Sequence, residues 1–304
     1  MTETKEPPPE NPLDPQVLAN VSGLAFRVKK IVEGFITGLH KSPYHGFSVE
    51  FAQHRQYSPG DDIRYIDWKV FGKSDRFFIK EYEEETNMTV NILVDCSESM
   101  KYSSAGMSKY DYGACIAGTL SYLLLNQQDS VGITLFDNRI RREIPPTANA
   151  GILKNMIEVL EDTSIQGETR INEVFLKVLS SIKRRGLVIF ISDFFVDMEA
   201  LNSALKHFSS RGHTVFLFHV MDSAELEFPF DSLTLFHGLE NEEDLLLNPN
   251  SIKKSYLQEV GDFLGFLKRT AMQKGIYYYL MDTSRPLGIA LSSILSIHGG
   301  RRKA

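Results

Sequence analysis

From Val17 onward, apolar residues recur at three- and four-residue intervals, at Val17, Val21, Leu24, Val28, Ile31, Val32, Phe35 and Leu39. That spacing predicts an amphipathic helix, with Lys29, Lys30 and Glu33 on its wet side. Between Gly46 and Thr86 the pattern shortens to β-like pieces, Phe47–Phe51 and Phe77–Tyr82, separated by the turn signal Ser58-Pro59-Gly60-Asp61. After Met88, apolar runs alternate with helical periodicity. Strands are predicted at 89–95, 130–136, 187–193, 213–220 and 275–281. Helices are predicted at 108–127, 149–161, 172–185, 197–211, 250–273 and 286–297. Such alternation predicts an α/β fold, a mostly parallel sheet flanked by helices. Residues 1–14, with Pro7-Pro8-Pro9, hold too little apolar surface to order themselves and read as a tail. Residues 15–87 read as an N-terminal helix and a β-rich accessory segment, and 88–304 as the α/β domain. The stretch 223–248 reads as a long connection with room for a short hairpin.

The strand ending at Asp95 delivers the most informative chemistry. Asp95, Ser97 and Ser99 place a carboxylate and two hydroxyls at alternate positions directly after the apolar run Val90–Val94. Oxygen donors at that spacing can converge on one hard cation. Alone the pattern is weak, because Asp and Ser also follow strands to cap helices. Thr169, in Gly167-Glu168-Thr169, and Asp193, after Val188–Ser192, lie in matching loops leaving the core. In an open parallel sheet such loops gather at a topological switch point. Few charged ligands would leave the ion electrophilic and able to accept a partner protein's Glu or Asp as a sixth ligand. Mg²⁺ is the expected cation, with Mn²⁺ or Ca²⁺ as alternatives.

At this point the chain resembles the von Willebrand factor type A (Rossmann-like) fold. Its metal-ion-dependent adhesion site uses an Asp-x-Ser-x-Ser loop, a downstream Thr and a later Asp, matched here by Asp95, Ser97, Ser99, Thr169 and Asp193. The resemblance implies that the hydroxyls ligate directly while the aspartates contact the ion or its waters. Phe194 departs from it, since Gly often follows that Asp. The run Arg55–Lys69, with Ser58-Pro59-Gly60-Asp61-Asp62 and Asp67-Trp68-Lys69, is similar to the signature of a bacterial family, domain of unknown function fifty-eight. Glu81–Asn87 and Asp222–Phe230 add to the likeness, which covers about residues 40–245. It implies a small β-rich accessory subdomain joined to a type A domain. It also implies a MoxR-type AAA+ ATPase as partner, with other type A domain proteins as further candidates.

Charge and composition narrow the remaining classes. A net charge of −6 disfavours a nucleic-acid duplex as partner. The basic groups Lys183-Arg184-Arg185 and Arg301-Arg302-Lys303 read as solvated helix ends. Two cysteines, Cys96 and Cys115, cannot build a disulfide framework or a thiolate zinc cluster, and they suit a reducing compartment. No apolar run approaches the ~20 residues that span a bilayer, and the start is not a signal peptide. The expectation is a cytoplasmic protein without direct membrane insertion. The eight histidines show no metal-ligand spacing, and His219 reads as a strand histidine with a local hydrogen bond. There is no Gly-x-x-x-x-Gly-Lys phosphate loop.

The sequence therefore reads as a non-enzymatic, Mg²⁺-dependent protein-binding module, an adaptor or co-chaperone. A metal-dependent hydrolase is one alternative, using either the same pocket or Asp61, Asp67 and Lys69 with Mg²⁺. Against an aspartyl-phosphate enzyme, Ser97 stands where a second carboxylate would act. A third alternative is a scaffold with a vestigial ion site, binding through the segment around Trp68.

Overall fold

The computed structural model describes residues 18, 22–40, 54–56, 77–80, 88–104, 106–165, 177–178, 180, 182, 185–237 and 244–288. By contact the chain divides into two units. One is drawn from Met1–Gly38 and Asn87–Ser293, the other from Leu39–Thr86 and Ile294–Ala304. In the second, β1 (His54–Gln56) pairs antiparallel with β2 (Phe78–Lys80), so Arg55 faces Ile79 in the ladder. The predicted strand at Phe47–Phe51 and helix at 286–297 lie in whole or in most part outside the described residues. So does most of the predicted helix 172–185.

The first unit is built on a six-stranded sheet. Its strands are β3 (Thr89–Asp95), β4 (Ser130–Phe136), β5 (Ile140–Thr147), β6 (Leu187–Ser192), β7 (Thr214–Met221) and β10 (Tyr277–Asp282), in the order β10-β7-β6-β3-β4-β5. All pairings are parallel except β4 with β5. β6 is buried at every residue, and β3, β4 and β7 at nearly every one. Helices covering both faces produce such continuous apolar runs.

β5 is the strand that alternation did not predict. The turn after β4 is held by the Arg139 N–H donating to Asp137 Oδ1 at 3.0 Å. The antiparallel strand it returns carries Arg141, Arg142, Glu143, Pro145 and Pro146. Charges and prolines of this kind belong on a sheet edge, where one row of backbone groups needs no partner. They also hide the strand from a search for hydrophobic runs.

The helix α2 (Lys109–Asn126) crosses the sheet, and its N-cap Ser108 accepts from the Asp111 N–H. Two glycines let it approach its neighbours. A Cβ at Gly113 would lie 2.9 Å from Ile191 of β6, and one at Gly118 would lie 2.8 Å from Val28. Val28 belongs to α1 (Leu24–His40), which follows Gly23 at φ +81°. Leu18, inside the range predicted as one helix from Val17, is itself helical and fully buried. The Leu24 N–H donates to Glu161 of α3 (Leu153–Glu161) at 3.1 Å. Sequence groups this helix with the accessory segment, but its apolar stripe is buried against the sheet unit, where Ile31 is fully covered.

On the rest of the sheet lie α4 (Met198–Ser210) and α6 (Pro249–Gln273), enclosing Phe190, Leu201, Leu205, Phe208, Leu217 and Leu267. The connection after β7 contains α5 (Ser223–Glu227) and the hairpin β8 (Thr234–Phe236) with β9 (Leu245–Leu247). Among the described residues no helix is long and apolar enough to cross a membrane.

Candidate functional site

The strand order places β4 on one side of β3 and β6 on the other, so successive connections leave the β3 end in opposite directions. This is the topological switch point of the sheet. Asp95 ends β3 and Asp193 follows β6, which brings both carboxylates to it. Both are buried, at 0% and 1% exposure, along with Ser97 and Ser99. Beyond Asp95 the chain makes a short 3-10 turn, Glu98–Lys101, which folds Ser99 back toward Ser97. Their hydroxyl oxygens lie 3.1 Å apart.

The Asp95 carboxylate is fixed at both oxygens. The Ser97 N–H donates to Oδ1 at 2.9 Å, and the Ser192 hydroxyl donates to Oδ2 at 2.6 Å. Ser192 is held in turn by the Phe194 N–H, 2.9 Å from its Oγ. Even so, burial, followed by the charge of Asp193, pushes the Asp95 carboxyl up to about 7. No cation among the described residues pairs with Asp95.

Asp193 is different. Its Oδ2 accepts from the Lys109 ammonium at 2.7 Å, and its Oδ1 from the Phe195 N–H at 3.3 Å. Lys109 is itself fully buried and donates equally to Glu225 Oε1 at 2.7 Å. Its ammonium also lies 4.9 Å from the centre of the Phe195 ring. Burial pulls the lysine pKa down, but the charges of Asp193 and Glu225 outweigh it and leave the ammonium form favoured. Glu225 is placed by a capping box on α5, in which Asp222 accepts from Ala224 and the Asp222 N–H donates to Glu225 Oε2 at 2.8 Å. Asp222 Oδ2 also accepts from the Ser104 N–H at 3.0 Å and the Thr283 hydroxyl at 3.2 Å.

Phe194 adopts φ +54° with its ring fully buried, edge-on to His219 at 5.6 Å. That left-handed backbone explains why glycine suits the position. A phenylalanine there stores strain that its buried ring and the bond to Ser192 offset. His219 is the strand histidine expected, with Nδ1 2.9 Å from the Tyr278 hydroxyl. Cys96 is a buried thiol on the Phe136 carbonyl at 3.1 Å, its pKa pushed up by burial, and so inert as a nucleophile.

Of the five predicted ligands, the structure thus brings Asp95, Ser97, Ser99 and Asp193 to one end of the sheet. Thr169 lies outside the described residues, as do Asp61, Asp67, Trp68 and Lys69. Among the described residues no three His, Cys, Asp or Glu side chains gather so as to hold a metal ion. The donor set instead pairs carboxylates with hydroxyls. It fits a small hard cation: one oriented carboxylate without a cationic partner among the described residues, and two hydroxyls 3.1 Å apart on the turn that follows it. Asp193, whose Oδ2 is bound to Lys109, has on Oδ1 only the 3.3 Å bond from the Phe195 N–H, which leaves that oxygen a lone pair for an ion or its water.

Sequence reasoning missed Lys109, Ser192 and Glu225. Ser192 carried a signal, a hydroxyl in the last position of an otherwise apolar strand. Glu225 carried another, the Asp-x-x-Glu of a capping box. Lys109 carried none, because a lysine in a first helical turn is ordinarily solvated.

A family model described as "Protein of unknown function DUF58" matches residues 53–262. The chain belongs to this family. Relatives of this DUF58 chain include uncharacterized proteins of Mycobacterium bovis and Mycobacterium tuberculosis, 23% identical over 241 residues, covering 75% of each chain. Among solved structures it is similar to the conserved hypothetical protein BatB from Bacteroides thetaiotaomicron. That match is 19% identical, covers 68% of this chain and 97% of the other, and has a TM-score of 0.50. Weaker likenesses are to an aerotolerance-related membrane protein from Bacteroides fragilis, at 19% identity, 68% and 96% coverage and a TM-score of 0.47. A solved VWA domain matches at 11% identity, 67% and 93% coverage and a TM-score of 0.38. The likeness to BatB bears on fold alone, and with the sheet order it shows the mostly parallel α/β arrangement that the sequence predicts.

Proposed function

We propose that this DUF58 protein is a non-enzymatic protein-binding module whose switch-point site captures a carboxylate of a partner protein through Mg²⁺. The observation that carries this reading is Asp95. Its carboxylate is buried, oriented by two hydrogen bonds, raised toward neutrality by burial and Asp193, and flanked by the Ser97 and Ser99 hydroxyls. Such a group gains most from a cation. Asp95, Ser97, Ser99 and Asp193 would hold the ion, with Thr169 as the further donor expected from the type A pattern. When bound, the ion supplies a positive centre for an incoming Glu or Asp. Ser192 and the Ser97 N–H orient Asp95, while Lys109 holds Asp193 in place through the bond to its Oδ2.

Family membership extends the proposal to a partner, a MoxR-type AAA+ ATPase served as an adaptor or co-chaperone, with other type A domain proteins as further partners. The free, buried cysteines Cys96 and Cys115 accord with a reducing, cytoplasmic setting.

Calorimetry with Mg²⁺ and Mn²⁺ on wild type and Asp95→Ala, each with and without a MoxR-type ATPase, tests the proposal. Metal binding by wild type only, and partner binding abolished by EDTA, is the expected result. Equal partner affinity in Asp95→Ala would overturn it.

A further inference from the structure

Beside the switch point, the turn that follows β4 and the end of α3 enclose an open cavity of about 370 Å³. It is lined by Arg139, Ile140, Arg141, Arg142, Asp162, Thr163 and Ser164. Three arginines within four residues stand out in a chain of net charge −6. They are not equivalent. Arg141 pairs with the buried Asp137 carboxylate and is committed to it. Arg139 and Arg142 are exposed, and no acid among the described residues pairs with either. Their guanidinium forks are available to a ligand.

The cavity adjoins the Asp95 loop. The Cys96 N–H, next to Asp95, donates to the Phe136 carbonyl at 2.7 Å, and Asp137 and Arg141 both act electrostatically on the Cys96 thiol. Thr163 meets Tyr110 of α2, whose hydroxyl donates to the Leu160 carbonyl. The arginines therefore lie on the edge of the sheet that presents Asp95 and Ser97.

We propose that this cavity binds carboxylates of an acidic protein segment, with Arg139 and Arg142 as the reading groups. The proposal deepens the partner-binding function above and rests on it for the segment's identity as a partner. A planar carboxylate matches a guanidinium fork with two parallel hydrogen bonds. The Asp162 carboxylate on the wall subtracts one charge and so disfavours a dianion such as phosphate more than single carboxylates. A segment whose one acid reaches the switch point would set neighbouring acids against the two free forks. The partner is therefore a protein with clustered Asp or Glu, not one offering an isolated acid.

The test is fluorescence anisotropy of fluorescein-labelled hexaglutamate titrated with the full chain at low salt. Both arginines are exposed, so Arg139→Ser/Arg142→Ser is expected to fold, checked by its melting curve. The double variant should bind about tenfold more weakly than wild type, and Lys154→Ser should bind as wild type does. Equal affinity in the double variant, or no binding by wild type, would overturn the proposal. EDTA and Asp95→Ala separate it from the metal reading. Peptide binding that survives both yet falls in the double variant leaves the arginine cavity standing without the ion. Binding lost to EDTA but retained in the double variant assigns the affinity to the ion and overturns the role of the arginines.

Discussion

The Lys109 ammonium lies 2.7 Å from Asp193 Oδ2 and 2.7 Å from Glu225 Oε1, three fully or largely buried charges joined at the switch point. Through Glu225 and the Asp222 capping box, the same network ties the candidate ion site to α5, to Ser104 and to the end of β10. A buried pair is weak evidence of net stabilisation, yet losing one partner strands the other charges.

Lys109→Met should therefore destabilise the protein by ~3–5 kcal/mol, because Asp193 and Glu225 are left buried without a cation. Urea denaturation measures it. Adding Asp193→Asn and Glu225→Gln to the same chain should recover most of the loss. Failure to recover would mean that the packing of the lysine stem, not its charge, is what matters.

Asp95 trades stability for binding. Because its carboxyl is raised from 3.8 to about 7, the folded protein keeps a proton that the unfolded chain has released, so stability declines as pH rises through that window. Asp95→Asn lacks this decline. In EDTA above pH 7 it should melt higher than wild type, while losing any rise in melting temperature that Mg²⁺ produces in wild type.

His219 acts in the opposite direction. Burial lowers its pKa from 6.5 to about 3, so below 6.5 the unfolded chain takes up a proton that the folded state refuses. Stability should fall as pH drops through that range, by at most ~1.4 kcal/mol per pH unit from this group. His219→Gln should show a shallower loss between pH 7 and pH 5 in unfolding experiments.

The docking of α1 on α2 depends on Gly118. With a Cβ there 2.8 Å from Val28 Cγ2, Gly118→Val should cost ~1–3 kcal/mol by overpacking. Val28→Ala in the same chain should relieve part of that cost. A double-mutant cycle with no coupling would show that the helices do not meet there.

Much of the fold was legible in the order of residues, for local reasons. β3 and β4 match their predicted ranges at both ends, and α2, α4 and α6 agree to within a residue or so, because continuous apolar runs and 3.6-residue periodicity are written along the chain. β5 was not legible, since an edge strand rich in Arg and Pro has no apolar run to show. The single helix expected from Val17 is interrupted at Gly23, at φ +81°, between the helical Leu18 and the start of α1 at Leu24, a break that the apolar periodicity runs across.

The candidate site divides in the same way. Asp95, Ser97 and Ser99 share a turn, so their spacing alone marks them as a possible ligand set. Asp193 could be named from its place after an apolar strand, but that it lies across from Asp95 follows from β6 pairing with β3. That pairing is a choice of sheet order.

By itself, then, the sequence determined most of the core strands and helices, though not the edge strand β5, and which loop carries alternating oxygen donors, because backbone preference and hydrophobic period act over a few residues. Only the tertiary structure decided that Lys109 is an internal cation, that Ser192 orients Asp95, and that Arg139 and Arg142 border a cavity beside the site. Those roles depend on burial and on which charges meet across 84, 97 and 116 positions of chain, where removal from water makes each contact matter.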